Sequence, residues 1–142
     1  MNILLTTLNA KYIHSCLALR TLQAYCRDDY PDIDILEYTI NDPLEQIVAG
    51  LIELKPDIMC FSCYIWNIRK ILDVIDTVKK VLPDCIIVLG GPEVTYDAVE
   101  LMRGNLLIDF IVTGEGERTF KELLNCLTKN RACDQVKGLV WR

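Results

Sequence analysis

The chain has 142 residues, with 15 Lys+Arg against 20 Asp+Glu for a net charge of −5, and its 51% hydrophobic content is enough to bury one compact core. The basic residues are scattered as pairs (Arg69-Lys70, Lys79-Lys80) among acids, so the clustered positive surface that phosphate neutralisation needs is missing and no nucleic-acid binding is expected. The longest apolar stretch is about five residues against the roughly 20 of a membrane span, and the N-terminus lacks the series of basic, apolar and small residues of a signal peptide. A cytoplasmic domain without a membrane role is expected.

Strand-length apolar runs recur at residues 2–6, 33–38, 57–62, 85–89 and 109–112, nearly continuous in Ile, Leu and Val, which suits strands buried on both faces. Helical periods fill the gaps. Less regular helices are expected over residues 15–26, 94–102 and 117–127. The clearest stripe, Leu44, Ile47, Val48, Leu51 and Ile52, follows Asp42 and Pro43, which predicts a cap at Asp42 with Glu45 completing a capping box. A second runs from Ile68 through Ile71, Leu72, Ile75 and Val78 to Leu82, polar on the opposite side, capped by Asn67 and stopped by Pro83. Regular alternation with short connections predicts a doubly wound α/β fold, flavodoxin-like, with a five-stranded parallel sheet in the order 2-1-3-4-5 and helices on both faces. Residues 1–130 would form this domain. Residues 131–142 would begin a linker or strand toward a following domain.

Seven cysteines, an odd number lying mostly in apolar patterns, do not suggest a disulfide scaffold. Cys60 and Cys63 have CxxC spacing, but Cys60 ends an apolar strand run, whereas a redox pair should open a helix from an exposed loop. No second ligand pair for zinc is visible.

In such a fold a ligand sits outside the carboxyl ends of the strands, so the loops there carry the functional information. The first, from Thr7 through Leu8, Asn9 and Tyr12 to His14, has no glycine, which excludes a dinucleotide fingerprint and a flavodoxin phosphate loop. Thr6, Thr7 and Ser62 stand where a phosphoacceptor domain would need acids for Mg²⁺. His14, the only histidine, is open between a ligand and an ordinary surface residue. The third loop sets Ser62 beside Tyr64 and Trp66, whose rings suit a broad, partly apolar ligand or pack against a neighbouring element. Two glycine turns complete the edge: Gly90-Gly91-Pro92-Glu93, and Gly114-Glu115-Gly116-Glu117 at a helix start.

Gly90-Gly91-Pro92-Glu93-Val94-Thr95 together with Asp109, the Gly114-Glu115-Gly116-Glu117 turn and Phe120 resembles the N-terminal cobalamin-binding domain of B12-dependent radical SAM proteins. The resemblance runs the length of the chain. It implies a cobalamin, with the corrin over the strand ends and the nucleotide tail between the sheet and a helix. Ser62 would contact that tail, Gly90 and Gly91 would leave room for it, and Leu8, Asn9, His14, Tyr64, Trp66, Pro92, Glu93, Thr95, Gly114, Glu115 and Gly116 would complete the site. A D-x-H-x-x-G motif centred on His14 would need Asp at 12 and Gly at 17, but the chain has Tyr12 and Leu17. The cobalt is therefore expected without His14 as a ligand. The C-x-x-x-C-x-x-C cluster signature is absent, with Pro56 where its first cysteine would stand. The resemblance accordingly assigns the [4Fe-4S] cluster and S-adenosylmethionine to a radical SAM domain downstream, with the corrinoid as methyl carrier. The alternatives are a cofactor-less domain of the same fold used in assembly or substrate recognition, and a small enzyme for another flat ligand such as flavin.

Overall fold

The computed structural model describes residues 1–142. Its elements alternate along the chain: β1 (Ile3–Asn9), α1 (Leu17–Cys26), β2 (Asp34–Thr39), α2 (Leu44–Glu53), β3 (Ile58–Ser62), α3 (Ile68–Val81), β4 (Ile86–Gly90), α4 (Pro92–Thr95), α5 (Ala98–Gly104), β5 (Phe110–Val112), α6 (Gly116–Thr128) and β6 (Leu139–Trp141). The sheet order is β2-β1-β3-β4-β5-β6. The first five strands pair in parallel, in the order expected from the doubly wound pattern. A sixth is added, because β6 runs antiparallel to β5, with Ile111 opposite Val140.

Period two along each strand divides the core. Leu4, Leu8, Met59, Phe61, Ile87, Leu89 and Ile111 face α2, α3 and α5, while Ile3, Leu5, Ile58, Cys60, Val88 and Val112 face α1 and α6. Helix α3 shows why the long apolar stripe forms a surface helix. Its Ile71, Val74, Ile75 and Val78 are buried, each contributing about 1.5–3 kcal/mol of apolar transfer free energy. Cys60 and Cys63 fall in opposite cores, and all seven cysteines are free thiols. Cys60 sits mid-strand rather than at the strand's end.

The last twelve residues pack onto the domain. Gly138, at φ +80°, accepts the Thr113 N–H at 2.8 Å and its hydroxyl at 3.0 Å, and the Thr119 hydroxyl donates to the Lys137 carbonyl at 2.8 Å. They therefore brace the loop after β5.

Local details depart from the sequence expectation. The capping box does not form. Asp42 turns back to accept the Thr39 N–H at 2.8 Å, closing the β2–α2 turn, and α2 starts after Pro43 without a side-chain cap. Asn67 stands before α3 but does not cap it. Its Oδ1 accepts the Tyr64 N–H at 2.7 Å, and its amide donates to the Leu8 carbonyl, the Ser62 carbonyl and the Thr7 hydroxyl. It thereby ties the ends of β1 and β3 together. The helix expected over residues 94–102 is broken into α4 and α5. No helix is long and apolar enough to cross a membrane.

Candidate functional site

A cleft of about 470 Å³ opens between the sheet and the α1/α6 layer at the carboxyl ends of β3, β4 and β5. Alternation along the strands builds its floor: Cys60 and Ser62 on β3, Val88 and Gly90 on β4, Val112 on β5. Ala18, Leu19 and Leu22 of α1 form one wall, and Gly116 and Phe120 of α6 the other. Tyr64, Pro92, Thr95, Tyr96, Gly114 and Glu115 surround the mouth.

Gly90 is the key to the floor. A Cβ built there would lie 3.7 Å from the Val112 carbonyl oxygen and 3.9 Å from its Cβ, both ordinary contacts. The fold therefore tolerates a side chain at 90, and its absence leaves space in the cleft.

Gly91 also lines the cleft, but the demand for glycine there has a second source. At φ +103°, its Cβ would meet the Cys63 carbonyl oxygen at 2.5 Å and nitrogen at 2.8 Å. The close approach that demands glycine is to the protein's own backbone. Hydrogen bonds from Cys63 N–H to the Gly90 carbonyl (2.8 Å) and from Glu93 N–H to the Cys63 carbonyl (3.3 Å) lock the two loops together. Thr95 links the next pair, donating to the Gly91 carbonyl at 2.9 Å and accepting the Gly114 N–H at 3.4 Å. Asp109 belongs to the far end of the sheet. Its carboxylate accepts the Ile87 N–H at 2.8 Å and faces Lys79 at 3.4 Å, a structural role.

The aromatic loop is ordered by the chain itself. Tyr64 and Trp66 stack with centroids 4.6 Å apart and planes 5° from parallel, and the Trp66 indole donates to the Leu8 carbonyl at 3.3 Å. Tyr64 lines the cleft, with its hydroxyl 3.5 Å from the Cys16 thiol. Burial raises the pKa of that hydroxyl, which stays protonated at neutral pH.

Ser62, Tyr64, Gly90, Gly91, Pro92, Thr95, Gly114, Glu115 and Gly116 thus converge on one cleft, as expected from their loops. Leu8, Asn9, His14, Trp66 and Glu93 do not line it. Leu8 is buried against the opposite helix layer. Asn9 reaches back to the His14 carbonyl at 3.0 Å and to Glu37 at 3.1 Å. His14 is exposed in the loop before α1. The helix walls, Ala18, Leu19, Leu22 and Phe120, were not anticipated as site residues, because small and apolar residues on a helix face read as core.

The B12 binding domain family matches residues 3–124. The chain is 35% identical over 82 residues to the cobalamin-dependent radical SAM methyltransferase TokK of Streptomyces tokunonensis, an alignment covering 58% of this chain and 12% of that protein. It is 35% identical over 88 residues to the hopanoid C-3 methylase of Methylococcus capsulatus, covering 61% and 17%. The chain therefore spans a small part of the length of these relatives. A solved structure of the cobalamin-dependent S-adenosylmethionine radical enzyme OxsB, with aqua-cobalamin and S-adenosylmethionine bound, matches 99% of this chain and 21% of that one at TM-score 0.80 and 20% identity. At that identity the likeness concerns the fold alone. With the family matched over most of its length, the chain belongs to the B12-binding domain family.

Proposed function

We propose that this domain holds a cobalamin with its nucleotide tail in the cleft between the sheet and the α1/α6 layer and its corrin at the cleft mouth. It would serve as the corrinoid module of a larger radical SAM methyltransferase. The observation that carries this reading is the glycine on the cleft floor. Gly90 keeps open a space that the fold would let a side chain fill, between Ser62 and Val112. A largely apolar slot with a few polar groups at its rim fits a heterocyclic base and its linker.

In this reading the chain binds and orients. Val88, Val112, Leu19, Leu22 and Phe120 exclude water from the tail. The Ser62 hydroxyl on the floor and the protonated Tyr64 hydroxyl beside it supply hydrogen bonds. Glu115 and Glu117 at the mouth offer carboxylate acceptors for amide N–H groups. When bound, the cofactor supplies a cobalt centre that in its reduced form is nucleophilic toward activated methyl groups. His14 has no carboxylate arranged to orient its ring, so the chain is not built to present that imidazole to the metal. The iron–sulfur cluster and S-adenosylmethionine would be held by a domain beyond these residues, and the methyl-transfer class rests on the relatives.

Anaerobic reconstitution with hydroxocobalamin, followed by gel filtration and visible absorption, tests the reading. Corrin absorbance should co-elute with the folded chain, with a spectrum showing the nucleotide base detached from cobalt. A folded chain that elutes colourless would refute it.

A further inference from the structure

Helix α1 starts without a cap of its own. Cys16 precedes it without capping it through its side chain, and its first turn holds no acid. The first N–H groups of a helix need acceptors, and its positive dipole end favours negative charge. Another element provides both. Glu37, on the edge strand β2, accepts the Cys16 N–H at 2.6 Å and the Asn9 amide at 3.1 Å on Oε1. On Oε2 it accepts the Arg20 guanidinium at 3.1 Å and the Ser15 hydroxyl at 3.4 Å. Its side chain is only 14% exposed, against 55% for Arg20. One carboxylate therefore joins the end of β1, the loop over residues 10–16 and the first turns of α1.

That helix start is also the cleft wall, since Ala18, Leu19 and Leu22 line the cleft opposite its floor. We propose that Glu37 is a positioning residue for the corrinoid tail: by clasping the start of α1 it fixes the gap between that wall and the Ser62–Gly90 floor. The inference rests on the functional reading above. Leu19 and Cys26 anchor α1 in the core independently of Glu37, so its removal loosens the first turn without dismantling the helix. A loosened wall leaves only a fraction of molecules ready for the tail, and apparent affinity falls by that fraction. Ligand groups outside the cleft are indifferent to it.

Two corrinoids separate these effects: cobalamin, which carries the nucleotide tail, and cobinamide, which lacks it. Glu37→Leu should weaken cobalamin binding by about tenfold or more while moving cobinamide by less than about twofold, as a charge-assisted cap lost at the tail wall requires. Glu37→Gln can still accept the Cys16 N–H but cannot balance Arg20, and should fall between. Amide exchange at Cys16 and Leu17 should quicken in both variants. An unchanged cobalamin-to-cobinamide ratio in folded Glu37→Leu overturns the role. Should that variant fail to fold, an unchanged ratio and unchanged Cys16 exchange in Glu37→Gln overturn it equally. A wild-type chain that binds neither corrinoid refutes the functional reading instead, whereas wild-type binding with an unaltered ratio in the variants refutes only the part given to Glu37.

Discussion

Neighbouring glycines at the end of β4 should respond to the same substitution in opposite ways. In Gly90→Val the new Cβ finds ordinary contacts with Val112, 3.7 Å to its carbonyl oxygen and 3.9 Å to its Cβ. A β-branched residue suits a strand, so folding stability should change by no more than about 1 kcal/mol, with a gain the expected sign. The added methyls occupy the cleft floor, and overfilling a packed site costs about 1–3 kcal/mol, roughly 5- to 150-fold in cobalamin affinity. Gly91→Val faces the reverse situation. Its Cβ would sit 2.5 Å from the Cys63 carbonyl oxygen and 2.8 Å from its nitrogen, on a backbone at φ +103°. The β3 and β4 loops must then separate, at a cost to folding of about 2 kcal/mol or more. Urea denaturation read by circular dichroism gives the stability change, and calorimetric titration with aquacobalamin gives the affinity. Gly90→Val binding cobalamin like wild type, or Gly91→Val unfolding at the wild-type midpoint, would refute the assignment of the two glycines.

Other perturbations read other parts of the site. Phe120→Ala removes a buried ring that belongs to both core and cleft wall, so it should cost about 3–5 kcal/mol of stability, measured by the same denaturation; a loss under about 1 kcal/mol would contradict its place in the core. Burial pushes the Cys63 thiol up to about 12 and Cys26 and Cys85 up to about 11, from an ordinary 9.0. Their contribution is fully present below pH 9 and is lost as pH rises toward 11, because the unfolded chain then releases thiol protons that the native state retains; a flat denaturation midpoint from pH 8.5 to 10.5 would show those thiols to be accessible. In electron paramagnetic resonance of the cobalt(II) form, the axial signal should be unchanged in His14→Ala. Nitrogen triplets that vanish in that variant would place His14 on the metal.

The parallel sheet was legible because strands buried on both faces leave continuous apolar runs, and the order 2-1-3-4-5 followed from the alternation with helices. Strand β6 was only half legible: Leu139 to Trp141 reads as a strand, but its docking on β5 depends on Gly138 gripping Thr113, a contact across the fold. Ser62 and the two glycine turns stood out because glycine and hydroxyl residues interrupt apolar runs at strand ends. Which of the two glycines could take a side chain without disturbing the fold was not legible, since it depends on strand phase and on how closely the Cys63 backbone approaches. Caps were misplaced for a related reason. Asp42 and Asn67 fit the local signature, yet the Thr39 N–H three residues back competes successfully for Asp42, and the β1 and β3 ends for Asn67. Glu37 shows the converse, an acid in a strand capping a helix that has no acid in its own first turn. A helix start with no cap and no acid of its own, together with an acid inside the following apolar strand run, was the available signal.

On the proposed reading the cofactor's tail lies between the sheet and the α1/α6 layer. Titrating the ¹⁵N-labelled chain with cyanocobalamin, a diamagnetic form, and following amide shifts would locate it. Saturable shifts are expected at Ser62, Gly90, Val112, Gly116 and Phe120, which line the cleft, with Ile71, Val74 and Val78 of α3 on the opposite face unmoved. Shifts centred on the α2/α3 face, or none at a saturating concentration of corrinoid, would contradict it.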